Sequence, residues 1–191
     1  MTEPVCQDER VGAYPGSFDP PTIAHLGIAV IAKRVARLDR VDLVVSRQAL
    51  AKEDAEHAPF DLRIGVIEAS IAHAPWLQVV VTEGQLISEI AKGYDVVIMG
   101  ADKWMQVQDA SFYGDDDAAR DAAVASLATV AVFDRPGFEP VGDGGIRLEL
   151  PDQLVQVSSS AARTGRSDWM TPPARKTAQA HGIWGVEVST P

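Results

Sequence analysis

Cysteine is nearly missing: Cys6 is the only one among 191 residues, so no internal disulfide can form. That scarcity points to a reducing, cytoplasmic setting. No apolar run approaches the roughly 20 residues of a membrane span, and the polar first ten residues do not read as a secretory signal. Positive charge is also scarce. Against 27 Asp and Glu stand 17 Lys and Arg, a net charge of −10, which argues against a general nucleic-acid or membrane surface. Several chemistries lack their residues altogether. There is no paired metal-ligand spacing of His or Cys, no G-x-S-x-G elbow and no G-x-x-x-x-G-K-[ST] phosphate loop.

What remains is an ordinary apolar fraction of 46% in a chain long enough for a substantial core, expected to form one domain over 1–191. Residues 1–10 read as a loose lead-in. Short β-branched runs alternate with helical patterns. Strands are expected at Val11 to Tyr14, Val41 to Val45, Leu77 to Val81, Val96 to Gly100, Thr129 to Phe133, Ile146 to Leu150 and Leu154 to Val157. Between them, helices are expected at Pro21 to Arg37, Phe60 to His73, Gln85 to Lys92 and Asp115 to Leu127. Another begins at Ser159, and a last one runs from Pro172 to about His181 before a short tail. The stretches 46–59 and 135–145 read as irregular. Such alternation predicts an α/β fold, a Rossmann-like open parallel sheet with helices on both faces.

The most informative stretch runs from Val11 through Tyr14-Pro15-Gly16-Ser17-Phe18-Asp19-Pro20-Pro21-Thr22 to His25. It reads as a strand, a tight turn and a helix start, the junction at which open parallel sheets bind ligands. Gly16 would let backbone approach a ligand closely, and a helix N-terminus attracts anions. Thr22 and His25, three apart, would face one way. A hydroxyl and an imidazole beside free N–H groups suit a phosphate. Far along the chain, Ser158, Ser159 and Ser160 precede Arg163 at another strand-to-helix turn, where hydroxyls, N–H groups and a fixed cation suit a phosphate chain.

These two stretches resemble the signatures of the nucleotidylyltransferase superfamily. GSFDPPTIAH is similar to G-[ST]-F-D-P-x-[HT]-x-G-H, and Val157 to Arg163 is similar to I-S-S-[ST]-x-x-R. Thr22 stands where many members carry a first histidine, and Ala24 replaces the usual glycine with a methyl that would crowd a phosphate or shift the helix slightly. The resemblance implies nucleotidyl transfer, in which an acceptor phosphate attacks the α-phosphorus of a nucleoside triphosphate and pyrophosphate leaves. Such a reaction needs alignment and charge neutralisation more than a base or covalent nucleophile.

On this resemblance His25, Thr22 and Arg163 are the catalytic candidates. ATP would lie against Gly16, Ser17, Phe18, His25, Gly100, Asp102, Ser158, Ser159, Ser160 and Arg163. Asp19 would brace the turn. Gly100-Ala101-Asp102 resembles the G-x-D element, and Arg135-Pro136-Gly137 the R-P-G element, of nicotinate and nicotinamide mononucleotide adenylyltransferases. Lys52, Trp104 and Arg135 are then the acceptor candidates, with Trp104 stacking on a pyridine ring. For Trp104 the other reading is a core residue, and for His25 a helix-surface or core histidine. Arg63 reads as structural, and Asp115-Asp116-Asp117 as a solvated helix start. Magnesium is expected to arrive with ATP. The expected function joins ATP to nicotinate or nicotinamide mononucleotide. The alternatives are a pantetheine-phosphate adenylyltransferase, which the Tyr14 to Pro20 stretch and Thr22 resemble, and a nucleotide-binding relative without turnover. The partners expected are ATP and a phosphorylated small acceptor, with a homo-oligomer left open.

Overall fold

Strand β1 (Val11–Pro15) is short, and its interior residues are all buried. It is flanked by β2 (Arg40–Ser46) and β4 (Val96–Gly100). With β3 (Leu77–Thr82), β5 (Thr129–Phe133) and β6 (Ile146–Leu148) they form one six-stranded sheet in the order β3-β2-β1-β4-β5-β6, every pairing parallel. The structure, a computed structural model, describes residues 9–47, 58–138 and 145–188. Lys52, most of the polar 46–59 stretch, the middle of the 135–145 loop and most of the lead-in lie outside those residues.

The α/β expectation is met, and the strands themselves show why. Successive side chains of a strand point to opposite faces. Tyr14, Leu43, Ile98 and Phe133 therefore join one apolar cluster, while Ala13, Val44, Val97, Met99 and Val132 join another. Helices α1 (Ile23–Val35) and α2 (Phe60–Ile71) cover the first face through Ile28, Ala29, Ala32, Ile67 and Ile71. Helices α3 (Ile87–Ile90), α4 (Ala101–Val107) and α5 (Asp117–Ser126) cover the second. Each large aliphatic side chain so buried contributes about 1.5–3 kcal/mol. Such two-sided burial explains the near-continuous apolar runs of β2 and β4.

Several boundaries differ from expectation, each for a local reason. Pro21 lies outside α1, because Thr22 is extended (φ −119, ψ 165) and forms the N-cap. Helix α3 starts late because the N–H groups of Gln85 and Leu86 donate to Oε2 of Glu89, at 2.9 and 3.1 Å. Asp115 has φ +59, so α5 begins after Asp116, whose carboxylate accepts from the N–H groups of Ala118 and Ala119. The expected strand at Leu154 to Val157 is a helical turn, α6 (Asp152–Val155). Leu154 does not alternate across a sheet; it seats on α1, where a Cβ at Gly27 would lie 2.5 Å from its Cδ1.

The last elements, α7 (Ser159–Arg163) and α8 (Pro172–His181), close over α2 and build a third apolar cluster containing Val66, Ala162, Met170, Ala174, Ala178 and Trp184. Trp184 is buried, and its indole Nε1–H donates to Oδ1 of Asp19 at 2.5 Å. Asp19 is itself fully buried. A carboxylate taken out of water must be hydrogen-bonded, so the C-terminal segment braces the first turn. Trp184→Phe keeps an aromatic ring but removes this donor. It should lower unfolding stability by about 1–3 kcal/mol, measured by urea denaturation; an unchanged midpoint would show that the brace carries nothing.

Candidate functional site

The sheet order reverses between β1 and β4, which opens a crevice at the C-terminal ends of those strands,. The turn after β1 enters it. Gly16 N–H donates to Val44 O at 3.0 Å, which ties the turn to β2. A Cβ at Gly16 would lie 2.9 Å from the Phe18 ring. The glycine was expected to admit a ligand; the space it leaves is filled by Phe18 instead. Phe18 is 1% exposed at φ +45, so its ring is a core element packed edge-to-face on Tyr14 and on His25, with centroids 5.4 and 4.9 Å apart. Only its backbone is placed to meet a ligand.

His25 stands in the first turn of α1, and its Nδ1 accepts from Thr22 N–H at 2.9 Å. A backbone N–H can only donate, so Nδ1 carries no proton in this arrangement. The proton of the neutral ring therefore sits on Nε2, which makes that atom a donor. Thr22 Oγ1 lies 3.0 Å from the same Nδ1, and Thr22 is fully buried. The threonine hydroxyl is thus directed at the imidazole rather than into the crevice. Thr22 acts through His25 by holding its orientation and tautomer. The Ala24 methyl, expected to crowd a phosphate, is buried in the core with Ile28.

The serine stretch meets this turn directly. Ser158 caps α7, its Oγ accepting from Ala161 N–H at 3.2 Å. Ser159 Oγ donates to Pro20 O at 2.8 Å across 139 residues of sequence. The Arg163 guanidinium donates to Asp19 O, and its other terminal nitrogen lies 3.4 Å from Ser160 Oγ. Ser160 is exposed. The two stretches that looked suited to phosphate are therefore one construction. Two of its members, Ser159 and Arg163, use hydrogen-bonding capacity on backbone carbonyls of the first turn.

At the ends of β4 and β5, Asp102 and Arg135 form a loose ion pair, with Oδ1 and Nε 3.8 Å apart. Gly100 makes room for it, since a Cβ there would lie 2.3 Å from Oδ1 of Asp102. Arg135 stacks over Phe133 at 5.0 Å, and its Nε has no hydrogen-bond partner. Beside them Tyr14 is almost fully buried, and burial drives its phenol well above the ordinary tyrosine value, so it stays protonated. Arg135, expected on the acceptor, is thus grouped with Asp102, expected on ATP.

On the other side of β1 lies a cavity of about 180 Å³. Sites that enclose a drug-sized ligand run to roughly 300–1,000 Å³, so this volume suits one small reactant rather than two. Pro15, Gly16, Ser17, Phe112 and Tyr113 are among the residues that line it. Val44, Leu86, Ile87, Ile90 and Val107 supply apolar wall. Among the described residues, the charged ones lining it are Arg63 and Lys103, both cationic, in a chain of net charge −10. Trp104 does not line the cavity; it packs, half-buried, against the cluster of α3, α4 and β4. Phe112, Tyr113 and Trp184 escaped the sequence reading because no local motif marks them. Arg63 did carry a signal: an arginine in helical register with Val66, Ile67 and Ile71 sits on the buried stripe of α2.

Residues 13–164 match the model of the cytidylyltransferase-like family. The chain is 28% identical over 186 residues to a Methylorubrum extorquens protein named "Probable nicotinate-nucleotide adenylyltransferase", with 88% of each chain covered. It is 29% identical over 168 residues to a phosphopantetheine adenylyltransferase of Latilactobacillus sakei, covering 87% of this chain and 90% of that one. In fold it is similar to Plasmodium falciparum nicotinic acid mononucleotide adenylyltransferase complexed with NaAD, with a TM-score of 0.66, 13% identity, and 95% and 100% of the two chains covered. The matched span takes in the turn after β1, the Asp102–Arg135 pair and the serine stretch, and the chain belongs to the cytidylyltransferase-like family of nucleotidyltransferases.

Proposed function

We propose that this nucleotidyltransferase joins ATP to nicotinate or nicotinamide mononucleotide, forming a pyridine dinucleotide and releasing pyrophosphate. The observation that carries the reading is the division of the crevice by the turn after β1. On one side stand His25, the Asp102–Arg135 pair and the serine stretch; on the other is a cation-lined cavity with aromatic residues. An acceptor in the cavity presents its phosphate near Gly16 and Ser17. ATP on the opposite side presents its α-phosphorus to the same turn. An acceptor oxygen then forms a bond to that phosphorus as the bond to the bridging oxygen of pyrophosphate breaks. Nε2–H of His25 donates to a phosphate oxygen as negative charge builds, and Ser158, Ser160 and Arg163 border the departing pyrophosphate.

Magnesium would enter on the phosphates of ATP. Its ligands there would be phosphate and water oxygens. The similarity to nicotinate-nucleotide adenylyltransferases supports the pyridine acceptor. The similarity to a phosphopantetheine adenylyltransferase keeps the second acceptor in view.

The test is pyrophosphate release with magnesium and ATP, offering nicotinate mononucleotide, nicotinamide mononucleotide and phosphopantetheine separately. Release with a pyridine mononucleotide is expected; release with phosphopantetheine alone would transfer the chain to the second reading, and silence with all three would remove both. His25→Ala should reduce turnover by about 10²–10³-fold in a protein that still folds, with a lower melting temperature because Thr22 N–H loses its acceptor,. Turnover near the wild-type rate would mean that Nε2 has no part in the chemistry. Phe112 lines the cavity together with Tyr113, so Phe112→Ala should raise the acceptor KM several-fold and leave the ATP KM unchanged. Trp104→Ala should act mainly on stability, and the reverse pattern in steady-state kinetics would restore Trp104 as the stacking residue.

A further inference from the structure

Arg63 is 7% exposed, and its Nε has no hydrogen-bond partner. Burying a guanidinium costs several kcal/mol unless it is paired and hydrogen-bonded. Here burial weakens its hold on the proton, opposed only in part by the Asp19 carboxylate. That carboxylate is already engaged by the Trp184 indole. The Phe60 ring does not relieve the charge either. Arg63 lies 5.3 Å from its centroid, but Arg47 occupies the same ring at 4.6 Å. Two guanidinium groups at one ring repel, and Arg47 has its own carboxylate, Glu83, at 3.3 Å. An aliphatic side chain would satisfy this position of the α2 stripe without any of these costs. The buried cation lines the same cavity as Gly16 and Ser17, with Ser46 also on the wall.

We propose that Arg63 anchors the phosphate monoester of the acceptor, receiving it from the cavity that Gly16 and Ser17 also line. The assignment rests on the adenylyl-transfer reading above and adds a residue to it. Arg63 is itself buried, so an anion that reaches it from the cavity meets an only partly compensated charge at low local dielectric,. Its forked donors match a phosphate dianion, which has oxygens to accept from more than one N–H. The arginine then holds the nucleophile's phosphate at the turn that also carries His25.

The experiment is calorimetric titration of the full chain, saturated with a non-hydrolysable ATP analogue. Nicotinate mononucleotide, nicotinamide mononucleotide and phosphopantetheine are each compared with the dephosphorylated compound. The same titrations are made on Arg63→Met and Arg63→Lys, with melting curves and ATP-analogue affinity as controls for folding. The phosphorylated compound that binds wild type should bind Arg63→Met on the order of 30-fold more weakly or worse, while its dephosphorylated counterpart binds both proteins alike. Arg63→Lys, which keeps the charge and loses the fork, should fall between and serves as the test if Arg63→Met does not fold. Equal losses for both members of a pair would make Arg63 a packing residue and overturn the anchor. So would phosphate discrimination that survives in the folded variants. Pyrophosphate release together with either of those results would leave the transfer reading standing without the anchor. Loss of phosphate discrimination in a protein that never releases pyrophosphate would keep the anchor and remove the transfer reading. Binding of none of the three phosphorylated compounds would overturn both.

Discussion

The crevice depends on the turn at Asp19 and Pro20. Their carbonyl oxygens accept from Arg163 and from Ser159, and the Asp19 carboxylate accepts from Trp184. Apart from those contacts, the loop between β1 and α1 is tied by backbone hydrogen bonds of Gly16 to Val44 and of Thr171 to Pro21. With those contacts, two later segments, α7 and the stretch at Trp184, fix that loop. The rest of the site follows. Thr22 caps α1 beside the clasped turn, His25 is oriented by Thr22, and Phe18 fills the space that Gly16 vacates. A geometry held from several sides costs little reorganisation when charge develops on a bound phosphate, which is the basis of electrostatic catalysis.

Charge is distributed to the same end. The chain as a whole is acidic and its long-range field opposes anions, yet cations gather along the crevice: Arg135 beside Asp102, Arg163 over the first turn, Arg63 and Lys103 on the cavity. Their effect is local. A Debye length of about 8 Å at physiological salt confines surface fields, whereas partly desolvated groups act at shorter range and full strength. An acidic protein can therefore handle nucleotides without becoming a nonspecific binder of polyanions.

Much of this was legible along the chain because the physics involved is local. Short, near-continuous β-branched runs identify strands wherever both faces are covered, and the Gly16 to Asp19 turn and Ser158 to Arg163 stretch declare themselves by residue type. Readings failed where a residue's role is set by a distant neighbour. The apolar residues of Leu154 to Val157 look like a strand until α1 presents a glycine for Leu154 to fill. Trp104, sequentially beside Asp102, turns toward the core, while Phe112 lines the cavity without any motif to announce it. Arg63 stood in plain view as a polar residue in an apolar stripe, but only packing reveals that its Nε is left without a partner.

The amino-acid sequence by itself determined the alternation of strands and helices, the parallel sheet and the chemistry available at its edge, because backbone periodicity and side-chain type are properties of short segments. Tertiary structure alone decided which of those groups meet. It turned the threonine hydroxyl onto the imidazole, set Arg135 beside Asp102, brought Trp184 to Asp19 across 165 residues of sequence and buried Arg63 against a cavity. Such contacts are settled by the fit of whole elements against one another, and that fit leaves no periodicity in the residues that make it.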